Sequence, residues 1–247
     1  MTAILVFFVL HWYLSLFVQT FYLHRYAAHG MFTMSPFWEK VFHVLTFIAQ
    51  GSSYLSPYAY GVLHRLHHAY ADTENDPHSP KYDPSLFSMM WRTKTVYHNI
   101  FYRKMDLEER FTKGVPSWPA MENFADTWPA RITWMALYTA FYIAFAPSYW
   151  WFLLLPLHFV MGPLHGAIIN WYAHKYGYRN YEVKDTSRNM LPLELVVMGE
   201  GLHNNHHANS ARANFAIKWW EFDPTWPIIR ALHAMRVIRL TPAALRA

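Results

Sequence analysis

The chain has 247 residues and no cysteine. That excludes a disulfide framework, a thiolate metal ligand, a Cys-ligated iron–sulfur cluster and a cysteine nucleophile. Charge is also scarce: Asp, Glu, Lys and Arg make up 15% of the residues, against about 25% in soluble domains. With 53% hydrophobic and 19% aromatic residues, the chain reads as an integral membrane protein. A mean hydropathy near zero requires a substantial polar part outside the lipid. There is no G-x-S-x-G elbow, no glycine-rich phosphate loop and no H-E-x-x-H pair, so the signatures of serine hydrolases, P-loop NTPases and zincins are missing. The first apolar run lacks a basic flank and a small-residue cleavage site, so no cleavable signal is expected. No motif points to nucleic acid. The net charge of +5 fits anionic headgroups or an acidic protein partner.

What the chain does have is histidine, 16 in all, concentrated in clusters. His64-Arg65-Leu66-His67-His68 and His203-Asn204-Asn205-His206-His207 both read H-x-x-H-H. A looser pair, His24 and His29, is spaced H-x-x-x-x-H. On a helix, positions i, i+3 and i+4 share a face, so each H-x-x-H-H is expected to aim three imidazoles at one point. A spacing of five leaves that face, which predicts that His24 and His29 straddle a helix end. With His174 these histidines number nine: His24, His29, His64, His67, His68, His174, His203, His206 and His207. That is too many for one ion, so two metals are implied. Imidazole alone does not name the metal. Asn170, one helical turn before His174, is placed to hold a water. Asp72, Asp76 and Glu200 lie close in sequence to these histidines and are candidates to orient their rings. The soluble di-iron pattern of two E-x-x-H pairs with two further Glu does not fit, because Glu200 to His203 is the one such spacing.

Along the chain, Ala3 to Leu23 carries no charge and is long enough to cross a bilayer. Arg25 follows it, which predicts an outside N-terminus and an inside His24. Val41 to Leu63 is also uncharged, but Gly51-Ser52-Ser53 interrupts it, and Ser35-Pro36 and Ser56-Pro57 each start a helix. The piece from Pro36 to Gln50 is about 22 Å long, short of a hydrocarbon core about 30 Å thick. If the first two clusters bind the same centre, the chain between them crosses an even number of times. Pro36 to about Tyr54 is therefore expected to be an interfacial or re-entrant helix, though its amphipathic character is weak. Residues 69 to 131, with Asp72, Glu74, Asp76, Asp83 and many prolines, read as water-exposed cytoplasmic structure. Ile132 to His174 lacks charge and leaves room for two spans around a Pro147-Ser148 turn. Lys175 to Ala247 reads as polar and basic. The fold expected is all-α: a membrane helical bundle of three spans plus the interfacial helix, with a cytoplasmic helical cap holding a His-rich di-metal site, all in one domain.

The three clusters together resemble the histidine boxes of membrane fatty acid desaturases, and their flanks resemble the acyl-CoA (Δ9, stearoyl-CoA-like) branch. His24-Arg25 opens the first box, and Asp76-Pro77-His78 follows the second. Asn170 to His174 is similar to that branch's N-x-x-x-H. Gly199-Glu200-Gly201-Leu202 introduces the third box, and Trp219-Trp220-Glu221-Phe222-Asp223 follows it. The resemblance covers roughly residues 20 to 230. It implies an O2-dependent di-iron enzyme with all nine histidines as ligands, Asn170 positioning a water and Glu200 supporting the site. It also implies a cis double bond placed at Δ9 in a long saturated acyl chain carried on acyl-CoA. Animal members have a further span before the first box, and an Arg-Asp pair where this chain has Val62-Leu63. An acyl-lipid or acyl-carrier-protein substrate therefore stays open. With no bound flavin or haem expected, electrons would come from an external donor such as a ferredoxin or a cytochrome b5.

Two other classes share parts of this pattern. A related di-iron hydroxylase, ketolase or alkane oxygenase would use the same metals. A non-enzymatic metal transporter would place its ligands near the bilayer midplane, whereas these clusters sit at the inner edge or beyond. The remaining histidines, His11, His43, His78, His98, His158, His165 and His233, are expected to be packing residues with a single hydrogen bond.

Overall fold

In the computed structural model, which describes residues 1–245, helix α1 (Thr2–Val18) runs without a break into a π-helical segment (Gln19–Ala28). Together they form a 27-residue apolar helix long enough to cross a membrane. A short strand β1 (Phe32–Met34) follows and pairs antiparallel with β2 (Ile238–Leu240), Thr33 opposite Arg239. This small sheet ties the turn after the first histidine box to the C-terminal region.

Both Ser-Pro helix starts are where the sequence places them. Helix α2 (Pro36–Gln50) begins with Ser35 Oγ accepting from Trp38 N at 3.4 Å. Helix α3 (Pro57–Tyr70) begins with Ser56 Oγ accepting from Ala59 N at 3.1 Å. Gly51, at φ +51°, ends α2 in a conformation that disfavours other residues. Helix α2 is more one-sided than its sequence suggests: Phe42, His43, Thr46 and Gln50 are buried while Phe37, Val44, Leu45 and Ile48 stand exposed. Helix α3 lies against the π-helical segment, and a Cβ on Gly61 would stand 3.0 Å from the Ala27 carbonyl oxygen.

After α3 the chain folds back on itself before α4 (Leu86–Phe101), and here one expectation fails. Asp72 and Asp76 are buried rather than water-exposed, because they are drawn under the helix by the histidines. Short helices α5 (Glu109–Thr112) and α6 (Pro119–Asp126) lead to α7 (Trp128–Phe145). The expected turn at Pro147-Ser148 follows. The return is broken: a 3-10 stretch (Tyr149–Leu154) and α8 (Leu155–Phe159) meet α9 (Met161–Tyr172) at a bend of 73°. Pro156 and Pro163 remove backbone donors on either side of the bend, and Gly162 N bonds Ser53 Oγ at 3.0 Å instead. Among the described residues one helix is clearly apolar and long enough to span, and this bent pair would make a second. The C-terminal part holds α10 (His203–Ala208), α11 (Thr225–Ala234) and α12 (Pro242–Leu245). It is not uniformly polar: Leu191, Leu193, Leu195, Val196 and Trp219 are exposed. The Trp12 indole donates to the Val196 carbonyl at 3.0 Å and holds that stretch against α1.

The largest core cluster packs Phe21, Tyr22, Phe32, Phe42, Phe215 and Ile229 together. Burying each such side chain stabilises the fold by roughly 1.5–3 kcal/mol. At its edge Arg25 is fully buried. It pairs with Asp223 at 2.7 Å, donates to the Ala213 carbonyl at 3.1 Å and lies 3.9 Å over the Phe215 ring. Removing one partner of such a buried pair costs about 3–5 kcal/mol.

Candidate metal centre

The first histidine pair meets because of the π-helical segment. A helix closed by i→i+5 bonds brings residues five apart onto one face, and His29 N bonds the His24 carbonyl at 3.1 Å. His29 is the residue that caps the segment, so the pair does straddle a helix end. The wider helix, which spacing alone does not reveal, is what turns both rings the same way, 4.9 Å apart.

All nine box histidines come together, but each H-x-x-H-H divides. His64 and His68 of α3 join His24, His29 and His206. His67, from the same box, joins His174, His203 and His207. In both boxes the i and i+4 members go to one group and the i+3 member to the other. The expectation that three rings of one box share one point therefore fails. A helix face is wide enough for i+3 and i+4 to diverge toward two neighbouring centres. Within each group the ligand atoms lie within 4.8 Å of one another.

The contacts between rings run through Nε2. His24 and His206 are 2.9 Å apart, His64 and His29 3.0 Å, His68 and His206 3.0 Å, and His174 and His203 3.1 Å. A metal–nitrogen bond of about 2.1 Å places ligands at right angles about 3.0 Å apart, so these separations suit nitrogens sharing a cation. Four of the outer nitrogens face carboxylates. Glu200 lies 2.6 Å from His24 Nδ1, Asp76 2.9 Å from His67 Nδ1, and Asp185 2.9 Å from His207 Nδ1. Asp72 is 3.6 Å from His174 Nδ1, and Thr186 stands between them with its hydroxyl 2.7 Å from Asp72. A proton held on Nδ1 by a carboxylate leaves the Nε2 lone pair pointing inward, the tautomer a metal needs.

Electrostatics point the same way. Burial, reinforced by neighbouring histidines, holds His29, His64, His68, His203, His206 and His207 well below the ordinary imidazole value. They stay neutral and keep their lone pairs. Burial also pulls His67 down, but Asp76 outweighs it and the net shift is upward. For Glu200, burial pushes up while the larger combined effect of His24, Arg25 and Thr20 brings it below the usual carboxylate range.

The expected supporting residues fall into place unevenly. Glu200 serves His24 of the first box, not its own neighbour His203, and its second oxygen takes the Thr20 hydroxyl. Asn170 lines a cavity beside Glu200 and His203. Gly166, which also lines the cavity, lies beside the amides of Asn170 and Gln19. Asp185 and Thr186 escaped sequence reasoning, since neither lies near a box in the chain. Asn204 and Asn205, inside the third box, carry support that the histidine spacing does not reveal. Asn205 donates to Glu221 at 2.8 Å and to the Phe215 carbonyl at 2.9 Å, and Asn204 accepts from Asn180 N and Tyr181 N at 2.9 Å. These bonds hold the six-residue helix α10 in place.

The remaining histidines do not all behave as expected. His11, His43, His158 and His165 are buried. His98 and His233 are exposed. His78 is buried beside His67, ring centroids 4.2 Å apart, with neither nitrogen bonded by protein.

The cavity has a volume of about 960 Å³. Its inner end touches His64, His78, Glu200 and His203, and its wall includes Leu63, Tyr60, Phe159, Ile169 and Met135. The site thus joins two imidazole groups to a large cavity walled mostly by apolar side chains.

Residues 2–242 match the family model described as fatty acid desaturase. The chain is 30% identical to a Delta-9 desaturase-like 5 protein of Arabidopsis thaliana, covering 87% of this chain and 69% of that protein. It is 30% identical to the sn-1 stearoyl-lipid 9-desaturase of Anabaena variabilis, over 86% of this chain and 74% of that one. It is also 30% identical to an icosanoyl-CoA 5-desaturase of Limnanthes douglasii, over 86% of this chain and 57% of that one.

Proposed function

Because the chain belongs to the fatty acid desaturase family, we propose that it is an O2-dependent di-iron enzyme that places a cis double bond, at Δ9, in a long saturated fatty acyl chain. The observation that carries this reading is the convergence of nine imidazoles, in groups of five and four, beside one apolar cavity. His24, His29, His64, His68 and His206 would hold one iron, and His67, His174, His203 and His207 the other. Iron bound there would supply, from O2, an oxidant able to take hydrogen from an unactivated methylene. The chain's own residues do the rest. Leu63, Phe159, Ile169 and Met135 hold the acyl chain in register and keep water out. Glu200, Asp72, Asp76 and Asp185 fix the rings with Nε2 inward. Asn170 would hold a water beside the four-imidazole group. Without cysteine the chain has no iron–sulfur site of its own, and electrons are assigned to an external acidic donor, a ferredoxin or a cytochrome b5, docking on the basic cytoplasmic face.

In the bilayer, α1 with its π-helical segment, α7, and the bent α8–α9 pair would be the three spans of a single desaturase domain, and α3, α4 and α10 part of the cytoplasmic cap. Helix α2 would lie at the interface, its Phe37, Val44, Leu45 and Ile48 stripe in the lipid. Single cysteines test this cleanly in a cysteine-free chain. Ser35→Cys and Asp83→Cys should be labelled from the cytoplasmic side, Thr2→Cys and Ser148→Cys from the other. Labelling of Ser35→Cys and Asp83→Cys from opposite faces would mean that α2 crosses.

Activity is tested by expression in a host lacking a desaturase, followed by fatty-acid analysis with double-bond localisation. Δ9 monoenes are expected. Recovery of hydroxylated chains alone would overturn the reading.

A further inference from the structure

Polar side chains lead away from the cavity between two helices. Gln19, where α1 passes into the π-helical segment, lines the cavity with Gly166 and Asn170 of α9. A Cβ on Gly166 would stand 3.9 Å from the Gln19 amide nitrogen and 4.0 Å from that of Asn170, so α1 and α9 meet here. From this point the polar groups continue toward the N-terminal end of α1. His11, Ser15 and Gln19 are spaced i, i+4 and i+8 and share one helix face. On α9, His165 packs edge-on against Trp12 of α1, ring centroids 4.5 Å apart. At the far end His11 meets His158 through Nδ1 at 2.6 Å, with the Tyr138 ring of α7 5.0 Å from the His11 ring.

These side chains are deeply buried and only partly bonded. His11 is 6% exposed, Gln19 2%, and Ser15 and His165 not at all. His11 Nε2, Ser15 Oγ, Gln19 Oε1, the Tyr138 hydroxyl and both nitrogens of His165 have no protein partner. Leaving one buried polar atom bare costs about 1–3 kcal/mol, and here six gather between helices read as spans. Buried polar groups without protein partners are met by water, whereas apolar voids stay dry. Ionisable side chains within a membrane segment likewise face one another or a water-filled space. The core around Phe21 and Phe42 is the contrast, because there ring packs on ring.

We propose that the α1–α9 interface holds a file of bound water that opens into the cavity at Gln19, and that this file carries off the water made in desaturation. The inference rests on the desaturase reading above. The stoichiometry calls for an outlet. A CH2–CH2 unit, one O2, two electrons from the donor and two protons from solution become CH=CH and two waters. Both waters form beside the imidazole groups, in a cavity that the acyl chain occupies and whose walls are mostly apolar. Gln19 and Asn170 offer amides at that end, and Ser15, His165 and His11 continue the hydrogen-bonding partners beyond it.

The test begins with X-ray hydroxyl-radical footprinting of the iron-loaded protein in water enriched in heavy oxygen, which marks side chains touching bound water and needs no turnover. Corrected for residue type, His165 and Tyr138 should take up label several-fold faster than Tyr22 and Phe21, which are equally buried in the apolar core. Labelling of all four at one slow rate would mean a dry interface and overturn the proposal. Ser15→Val then plugs the file. It should slow labelling of His165 and lower the steady-state rate of desaturation several-fold, while iron content and the rate of the first turnover stay close to those of the unaltered protein. A plugged file with an unchanged steady-state rate would overturn the role as an outlet. So would a first turnover slowed as much as later ones, which would place the defect in chemistry or folding. Absence of unsaturated product from the unaltered protein would overturn the desaturase reading and the outlet role with it, whereas the footprint decides by itself whether the water is there.

Discussion

Two sets of buried histidines sit in this chain, and among the described residues only one brings its ring nitrogens close enough together to share a metal. In the box set, His24, His67 and His207 have a carboxylate within 3 Å of Nδ1, and their Nε2 atoms turn toward other imidazoles. In the second set, between α1 and the α8–α9 pair, His11 and His158 meet through Nδ1 at 2.6 Å, and His158 Nε2 meets the Tyr142 hydroxyl at 2.9 Å. His165 packs edge-on against Trp12. No carboxylate bonds any of these three among the described residues. Burial is common to both sets. What separates them is the convergence of the box nitrogens, with carboxylates fixing the outer nitrogen of four of those rings.

The comparison can be broken at several points. The largest effect is expected from the box set itself. His206→Ala should abolish desaturation and cost about one iron per chain, because Nε2 of His206 faces both His24 and His68. An active His206→Ala at normal expression would remove the assignment of the five-imidazole group. The carboxylates come next. Asp76→Asn and Asp185→Asn keep the shape but weaken the hold on the ring, and iron affinity should fall about 10- to 100-fold. Iron titration of the purified variants measures this, and unchanged affinity in both would mean that the acceptors merely fill space.

Asn170→Ala sharpens the contrast between holding metal and tuning it. Its activity should drop more than its iron content, at least tenfold against a loss of less than about half, read by metal analysis beside product yield. Complete loss of iron would make Asn170 structural. The smallest effect is expected from the second set. His11→Ala should keep most activity and all the iron, with a lower melting temperature, since the change leaves His158 Nδ1 without its partner at a cost of about 1–3 kcal/mol. Loss of iron from His11→Ala would erase the distinction between the sets.

Much of this was legible from residue order. The nine histidines, the two Ser-Pro helix starts and the scarcity of charge are local features, and local spacing suffices to find them. Ser35 and Ser56 cap their helices through atoms a few residues away, so no distant part of the chain could overrule them. The same holds for the family, whose motifs are short and contiguous.

The division of the imidazoles was not legible. Positions i, i+3 and i+4 share a helix face, but which of two adjacent centres each ring meets depends on where α3, α10 and the π-helical segment lie relative to one another. The π-helix itself is hidden, because only its hydrogen-bond pattern distinguishes it. Asp185 and Thr186 reach His207 and His174 by the path of a loop, and Lys94 gains its place on the cavity wall only when α4 packs against α3 and α9. Sequence alone determined which atoms could bind metal and where helices begin. The tertiary structure decided how those atoms divide and where the cavity opens, because both depend on distances between segments far apart in the chain.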